Sequence, residues 1–201
     1  MGAVIGIDLG SSCGWAVASE GRLTSGAWRL KPGAKSSDQT RELIFWRRLE
    51  ATRELYGVPE LVAYEEVVAH GRGEQKQVEC PGCHNRHSIR VQATNVLAAQ
   101  VYGALRGVLQ MWCDWHGVRV AGVAVGTLKL FATGNGRASK DDMVAWAQMR
   151  WPEQQVKDHD QADALHVLDW GLVEVLNRRG KAHVDRGGQL QLEPQPQDVE
   201  F

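Results

Sequence analysis

Apolar residues run almost unbroken through positions 3–9 and recur with strand-like spacing through 14–19 and 22–30, which predicts a meander of three strands. Glu20-Gly21 supplies the turn between the second and third, and Pro32-Gly33 closes the third. From Ser36 or Ser37 the pattern becomes helical. Leu43, Trp46, Leu49 and Tyr56 fall near one face, Arg41, Arg47, Arg48 and Arg53 among the other positions, and Gly57 and Pro59 stop the helix. Residues 61–64 form a brief apolar run that leads straight into Glu65-Glu66. Helical spacing returns over 93–116, and 118–125 reads as another strand. Ser139-Lys140-Asp141-Asp142 is a capping box that opens a helix to about Arg150, and a last helix spans roughly 160–177.

The 93–116 helix carries Ala99, Gly103 and Gly107 at four-residue spacing. Such a stripe lets another backbone approach closely, either the chain's own sheet or a partner helix, although each glycine costs about 1 kcal/mol of helix propensity relative to alanine. Between 70 and 91 the composition shifts to Gly, Gln, Cys, His and Arg with no helical period, which marks an inserted loop or hairpin. The Gln/Pro/acid stretch after Gly180 has nothing to bury. The organisation expected is one domain over 1–180, interrupted by a Cys/His insertion at 70–92 and followed by a disordered or extended tail at 181–201.

Composition narrows the class. A length of 201 residues suits one α/β or α+β core, and 43% hydrophobic with 23% charged residues excludes general disorder and coiled coil. No apolar stretch approaches the roughly 18 residues of a membrane span, and residues 1–8 lack the regions of a signal peptide, so a cytoplasmic protein is expected. Thiols stay reduced there, so Cys13, Cys80, Cys83 and Cys113 read as core residues or metal ligands rather than disulfides. The net charge is −1, and leaving out 181–201 gives 21 bases against 20 acids, so any DNA-binding surface must be a local patch.

Four acids sit where elements begin or end: Asp8, Glu65, Asp160 and Asp163. The last two, three residues apart on a helix, share a face and repel unless a cation lies between them. Asp8, directly after an apolar strand, must be paired or metal-bound. Singly, each has an ordinary reading as a helix cap, a first-turn acid or a solvated strand end. Together, Gly6-Ile7-Asp8-Leu9-Gly10-Ser11, Ala63-Tyr64-Glu65-Glu66-Val67, Thr127-Leu128-Lys129 followed by Thr133-Gly134-Asn135-Gly136-Arg137-Ala138-Ser139-Lys140, and Asp160-Gln161-Ala162-Asp163-Ala164-Leu165 occur in the order seen in RuvC-like Holliday junction resolvases, and from residue 3 to 176 the chain resembles a phage or bacterial member of that family.

The resemblance implies a ribonuclease H-like fold, a mixed five-stranded sheet flanked by helices. It implies a metal-binding tetrad of Asp8, Glu65, Asp160 and Asp163 holding two Mg²⁺ (or Mn²⁺) ions, with Lys140 at the scissile phosphate. The activity implied is resolution of four-way DNA junctions by paired nicks, with 5′-phosphate and 3′-hydroxyl products, carried out by a homodimer. Glu66 stands where an amide is common in the family, and strand alternation allows only one of Glu65 and Glu66 to face the metals; register favours Glu65. Arg41, Arg47, Arg48, Arg53, Arg137 and Lys140 are the candidate phosphate contacts. Trp112, Trp115, Trp146, Trp151 and Trp170 are read as core or interface anchors.

The insertion lies outside that resemblance. Cys80-Pro81-Gly82-Cys83-His84-Asn85-Arg86-His87 places two thiols and two imidazoles within eight residues, a knuckle suited to structural Zn²⁺ with Cys80, Cys83, His84 and His87 as ligands, or with His70 as the alternative to His84. Rival readings are a haem attachment motif, a redox pair and a loop with reduced thiols. Arg72, Lys76, Arg86 and Arg90 are cations through which the insertion could touch DNA or a second subunit. Two competing functions remain: an actin/Hsp70-like ATP-binding phosphotransferase, suggested by Gly6-Ile7-Asp8-Leu9-Gly10-Ser11-Ser12, and a junction-binding module without catalysis.

Overall fold

The computed structural model describes residues 2–32, 40–67, 74–91 and 96–177. Its main sheet has five strands in the order β3-β2-β1-β4-β7, with β1 Val4–Asp8, β2 Ser12–Ser19, β3 Arg22–Arg29, β4 Leu61–Glu66 and β7 Arg119–Ala124. β1, β2 and β3 pair antiparallel as a meander, whereas β1, β4 and β7 run parallel, so the sheet is mixed. Glu20 and Gly21, both at positive φ, form the tight β2–β3 turn. β5 Glu74–Glu79 and β6 Arg86–Val91 pair with each other in a separate two-stranded sheet, so the insertion is a hairpin.

Alternation along the central strands sorts the core into two layers. Ile5, Ile7, Val62 and Tyr64 face α1 (Arg41–Tyr56) and α2 (Val96–His116), meeting Phe45, Leu49, Leu105, Leu109 and Trp112. On the other face Val4, Ala16 and Leu61 meet α5 (His159–Trp170), with α3 (Val125–Thr133) and α4 (Lys140–Arg150) beside it. Each fully buried Leu, Ile or Phe contributes roughly 1.5–3 kcal/mol. The even positions of β1 and the odd positions of β4 therefore look toward α5, and this parity brings Asp8 and Glu65 to the same face.

Several expectations shift. α1 begins at Arg41, where the Thr40 hydroxyl accepts from the Leu43 amide at 3.2 Å; positions 36–39 lie outside the described residues. Its inward face is Phe45, Leu49 and Thr52, and Leu43 is exposed. α3 was not expected: it follows β7 without a break and has no side-chain cap, which left the sequence without a start signal. The Ser139–Asp142 capping box forms, with both reciprocal hydrogen bonds. α5 starts one residue before Asp160, with Asp158 as its cap, and gives way at Gly171 to a π-helical turn ending at Val175. Trp112 is fully buried, but Trp115 is exposed and is no core anchor. The tail at 181–201 lies outside the described residues. Among the described residues no helix is long and apolar enough to cross a membrane.

On α2 the buried residues are Leu105, Leu109, Trp112 and Cys113. The small-residue stripe faces outward, and a Cβ added at Gly103 or Gly107 meets nothing within 4 Å, so the chain's own sheet does not use it.

Candidate active site

α5 lies directly on the strands because two glycines leave room for its backbone. A Cβ at Gly6 would stand 2.5 Å from the Ala164 carbonyl oxygen and 2.7 Å from Leu168 Cα, and one at Gly14 would overlap the Asp160 carbonyl. Gly14 is the antiparallel partner of Asp8, so the helix is closest to the sheet at the register position of the first acid. A polar network then fixes the helix start to β3. Gln161 Nε2 donates to Ser25 Oγ at 3.0 Å and to the Gln154 carbonyl at 3.2 Å, Ser25 Oγ donates to Gln154 Oε1 at 2.9 Å, and the Lys157 amide donates to Gln161 Oε1 at 3.0 Å. Ser25, Gln154 and Gln161 carried no signal in the sequence, because Ser25 and Gln161 are distant along the chain and meet only in the fold.

This packing brings Asp8, Glu65 and Asp163 together, their ligand oxygens all within 4.8 Å of one another. Asp160 is not part of that trio, although its charge reaches both Asp8 and Asp163. Burial first, then the charges of Glu65, Asp163 and Asp160, push the Asp8 carboxyl up to about 8. Burial and Glu65 push Asp163 up to about 7, against the opposing pull of Lys140 and His159. Glu65 is also raised by burial, though its hydrogen bond with Asp8 and the charges of Lys129 and Lys140 pull it down. Asp8 and Glu65 are thus both raised, and the pair favours holding a proton between them.

Buried acids that retain protons near neutrality lack a sufficient counter-charge. Three carboxylates are a hard, all-oxygen donor set, which fits Mg²⁺ or Mn²⁺ rather than a soft metal. Glu66 is spent elsewhere: Arg106 reaches its Oε1 at 3.2 Å and the Tyr64 hydroxyl at 3.1 Å on the α2 face.

The candidate cations divide. Lys140 is exposed at the first position of α4, close enough to influence Glu65 and Asp163. Lys129, from the Thr127-Leu128-Lys129 segment, donates to the Ala138 carbonyl at 2.7 Å and ties α3 to the loop before α4. Arg137 is exposed in that loop, where its amide donates to Asn135 Oδ1 at 3.0 Å. Arg47 and Arg48 are exposed on α1. Arg41 is half-buried, with Nε enclosed and without a hydrogen bond. Arg53 is held by Glu50 at 2.9 Å, and the same glutamate accepts from Trp112 and His116.

At the hairpin, Cys80, Cys83 and His87 offer ligand atoms within 4.8 Å of one another. His84 does not join them; its Nδ1 pairs with Glu79 Oε1 at 3.1 Å. His70, Arg72 and the side chains of Lys76 and Arg90 lie outside the described residues, while Arg86 is exposed. Cys13 and Cys113 are buried, and all four cysteines are free.

No protein-family model and no curated protein matches the chain. Solved structures do. Thermus thermophilus RuvC is 19% identical over 88% of this chain and 98% of its own, with a TM-score of 0.56. T. thermophilus RuvC in complex with Holliday junction substrate is 18% identical over 84% of this chain and 91% of its own, also with a TM-score of 0.56. By topology and by this likeness, the chain has the ribonuclease H-like fold of RuvC.

Proposed function

We propose that this chain is a divalent-metal-dependent endonuclease that resolves four-way DNA junctions by paired symmetric nicks, leaving 5′-phosphate and 3′-hydroxyl ends. The observation that carries the reading is the convergence of Asp8, Glu65 and Asp163 from β1, β4 and α5 on a sheet with the RuvC topology. That RuvC has been solved on a Holliday junction substrate supports branched DNA as the substrate here.

Asp8, Glu65 and Asp163, with Asp160 beside them on α5, would hold two Mg²⁺ or Mn²⁺ ions. Bound metal there supplies charge stabilisation for the attacking and leaving oxygens of a phosphodiester and lowers the pKa of a water. The protein's part is to bury and converge the acids, and to release the Asp8 and Asp163 protons when they ligate. Lys140 would contact the scissile phosphate, and its reach to Glu65 and Asp163 supports this role. Arg137, Arg47 and Arg48 extend the contact along the backbone, which makes binding salt-dependent.

A junction has two strands to cut symmetrically, and a C2 dimer carries two matching sites. The outward stripe of Gly103 and Gly107, with Val96, Leu97 and Met111 exposed on the same helix, supports α2 as part of the dimer interface.

The test is incubation with a synthetic immobile four-way junction and with linear duplex, with and without Mg²⁺, mapping every nick. Paired nicks at symmetric positions, on the junction alone and only with metal, are the expected result. Equal cutting of duplex makes the protein a general nuclease. Junction binding without any nick makes it a passive module.

A further inference from the structure

The β5–β6 hairpin takes no part in the site above, and its stability needs an explanation. Its strands pair only with each other in their sheet, and Val78 and almost every described side chain from 77 to 88 are exposed. A lone two-stranded hairpin is marginal in water. Small units without a core are commonly held by a metal instead.

The tip is built for one. Cys80, Cys83 and His87 have their ligand atoms within 4.8 Å of one another, and Cys83 Sγ stands 4.0 Å from His87 Nε2. Around tetrahedral Zn²⁺, with Zn–S about 2.3 Å and Zn–N about 2.0 Å, neighbouring ligand atoms sit roughly 3.6–3.8 Å apart. Ligation therefore asks for a contraction of a few tenths of an ångström between Cys83 and His87, and of about 1 Å at most in the other two pairs. The turn is already closed: the His84 amide donates to the Cys80 carbonyl at 2.8 Å, and the Cys80 amide donates to the Asn85 carbonyl at 2.9 Å. His84, at φ 57°, is turned aside to Glu79.

We infer that Cys80, Cys83 and His87 bind one Zn²⁺ that pins the tip of the hairpin. Two sulfurs and one imidazole nitrogen are a soft donor set, chemically distinct from the carboxylate trio, so the two centres select different metals.

Full-length protein purified without added metal should carry about one zinc per chain by mass-spectrometric metal analysis. Replacement by Co²⁺ should give the thiolate-to-cobalt charge-transfer band. Cys80→Ser, Cys83→Ser and His87→Ala should each weaken zinc at least tenfold, with the thermal transition of the main domain preserved, whereas His84→Ala should keep full occupancy. A zinc content near zero, or His87→Ala binding as tightly as the parent, overturns the site. Loss of zinc in His84→Ala overturns the ligand set. Asp8→Asn should retain the zinc, so failure of junction cleavage and failure of this site are read independently.

Discussion

Gly14 and Asp160 are in backbone contact: a side-chain carbon on the first would occupy the position of the carbonyl oxygen of the second. Neither backbone can yield without moving β2 or the first turn of α5, and Ala164 Cβ would close the remaining side at 3.1 Å. Gly14→Ala should therefore lift the helix start and its two acids from Asp8. Overpacking of this kind costs roughly 1–3 kcal/mol. We expect a lower melting temperature and at least a tenfold loss of Mg²⁺-dependent nicking. Unchanged nicking would mean that the acids do not need this approach.

The paired glutamates give a sharper contrast. Glu65 faces the trio and Glu66 faces Arg106, so equivalent changes at neighbouring positions should have unequal effects. Glu65→Gln should lower junction cleavage by about a hundredfold or more, the scale of a lost catalytic group. Glu66→Gln loses only a half-exposed ion pair, worth about 0–1 kcal/mol, and should cleave within a few-fold of the parent. Single-turnover rates on the junction measure both.

Stability of the metal-free protein should fall as pH rises. Asp8 is raised from 3.8 to about 8 and Asp163 from 3.8 to about 7, so between these limits the folded state binds more protons than the unfolded chain. Their contribution is complete below pH 4 and is lost as pH climbs through 7 and 8. Asp8→Asn removes the largest shift, and should raise stability at pH 8 by roughly 1–3 kcal/mol while flattening the profile. Mg²⁺ should reverse the trend in the parent and have little effect in Asp8→Asn. Urea melts across pH 5–8.5, with EDTA and with Mg²⁺, decide it.

Much of this site was legible along the chain. Strand parity alone separates Glu65 from Glu66, and the spacing of Asp160 and Asp163 puts both on one side of a helix. Position in space was less accessible: Asp163 joins Asp8 and Glu65 while Asp160 stands outside the trio, because the first turn of α5 is directed by Gly14 and by the Ser25–Gln154–Gln161 network. Contacts across such sequence separations leave no local period. On α1, Leu49 is buried and Trp46 and Tyr56 pack against the core as their shared face predicts, and only Leu43 departs. Leu43 and Phe45 are both apolar, and only the location of the sheet buries Phe45 and exposes Leu43. Trp112 and Trp115 repeat the lesson on α2.

The Gln161 network should be worth measuring directly. Gln161 is buried, and its amide satisfies Ser25, the Gln154 carbonyl and the Lys157 amide. Gln161→Ala leaves those partners unmet, which costs about 1–3 kcal/mol. Since the same bonds hold the helix start over the sheet, cleavage should fall further than stability alone explains, at saturating DNA and well below the melting temperature.

A second tie holds the other end of α5, and it should behave differently. Arg150, the last residue of α4, pairs with Asp169 at 2.8 Å with side chains only 8% and 7% exposed, and the guanidinium lies 5.1 Å from the Trp151 ring. Removing Arg150 takes a close counter-charge from a buried carboxylate, so Arg150→Met should lower stability, by up to roughly 3–5 kcal/mol. Removing both should restore much of the loss, because a buried ion pair gains little over apolar groups of similar size. Arg150→Met/Asp169→Leu is thus expected to melt closer to the parent than Arg150→Met does. Asp169 is nearly two turns beyond Asp163, so the double variant, once folded, should cleave junctions at close to the parental rate. A double variant that is stable but inactive would show that the acids depend on α4 as well as on the strands beneath them.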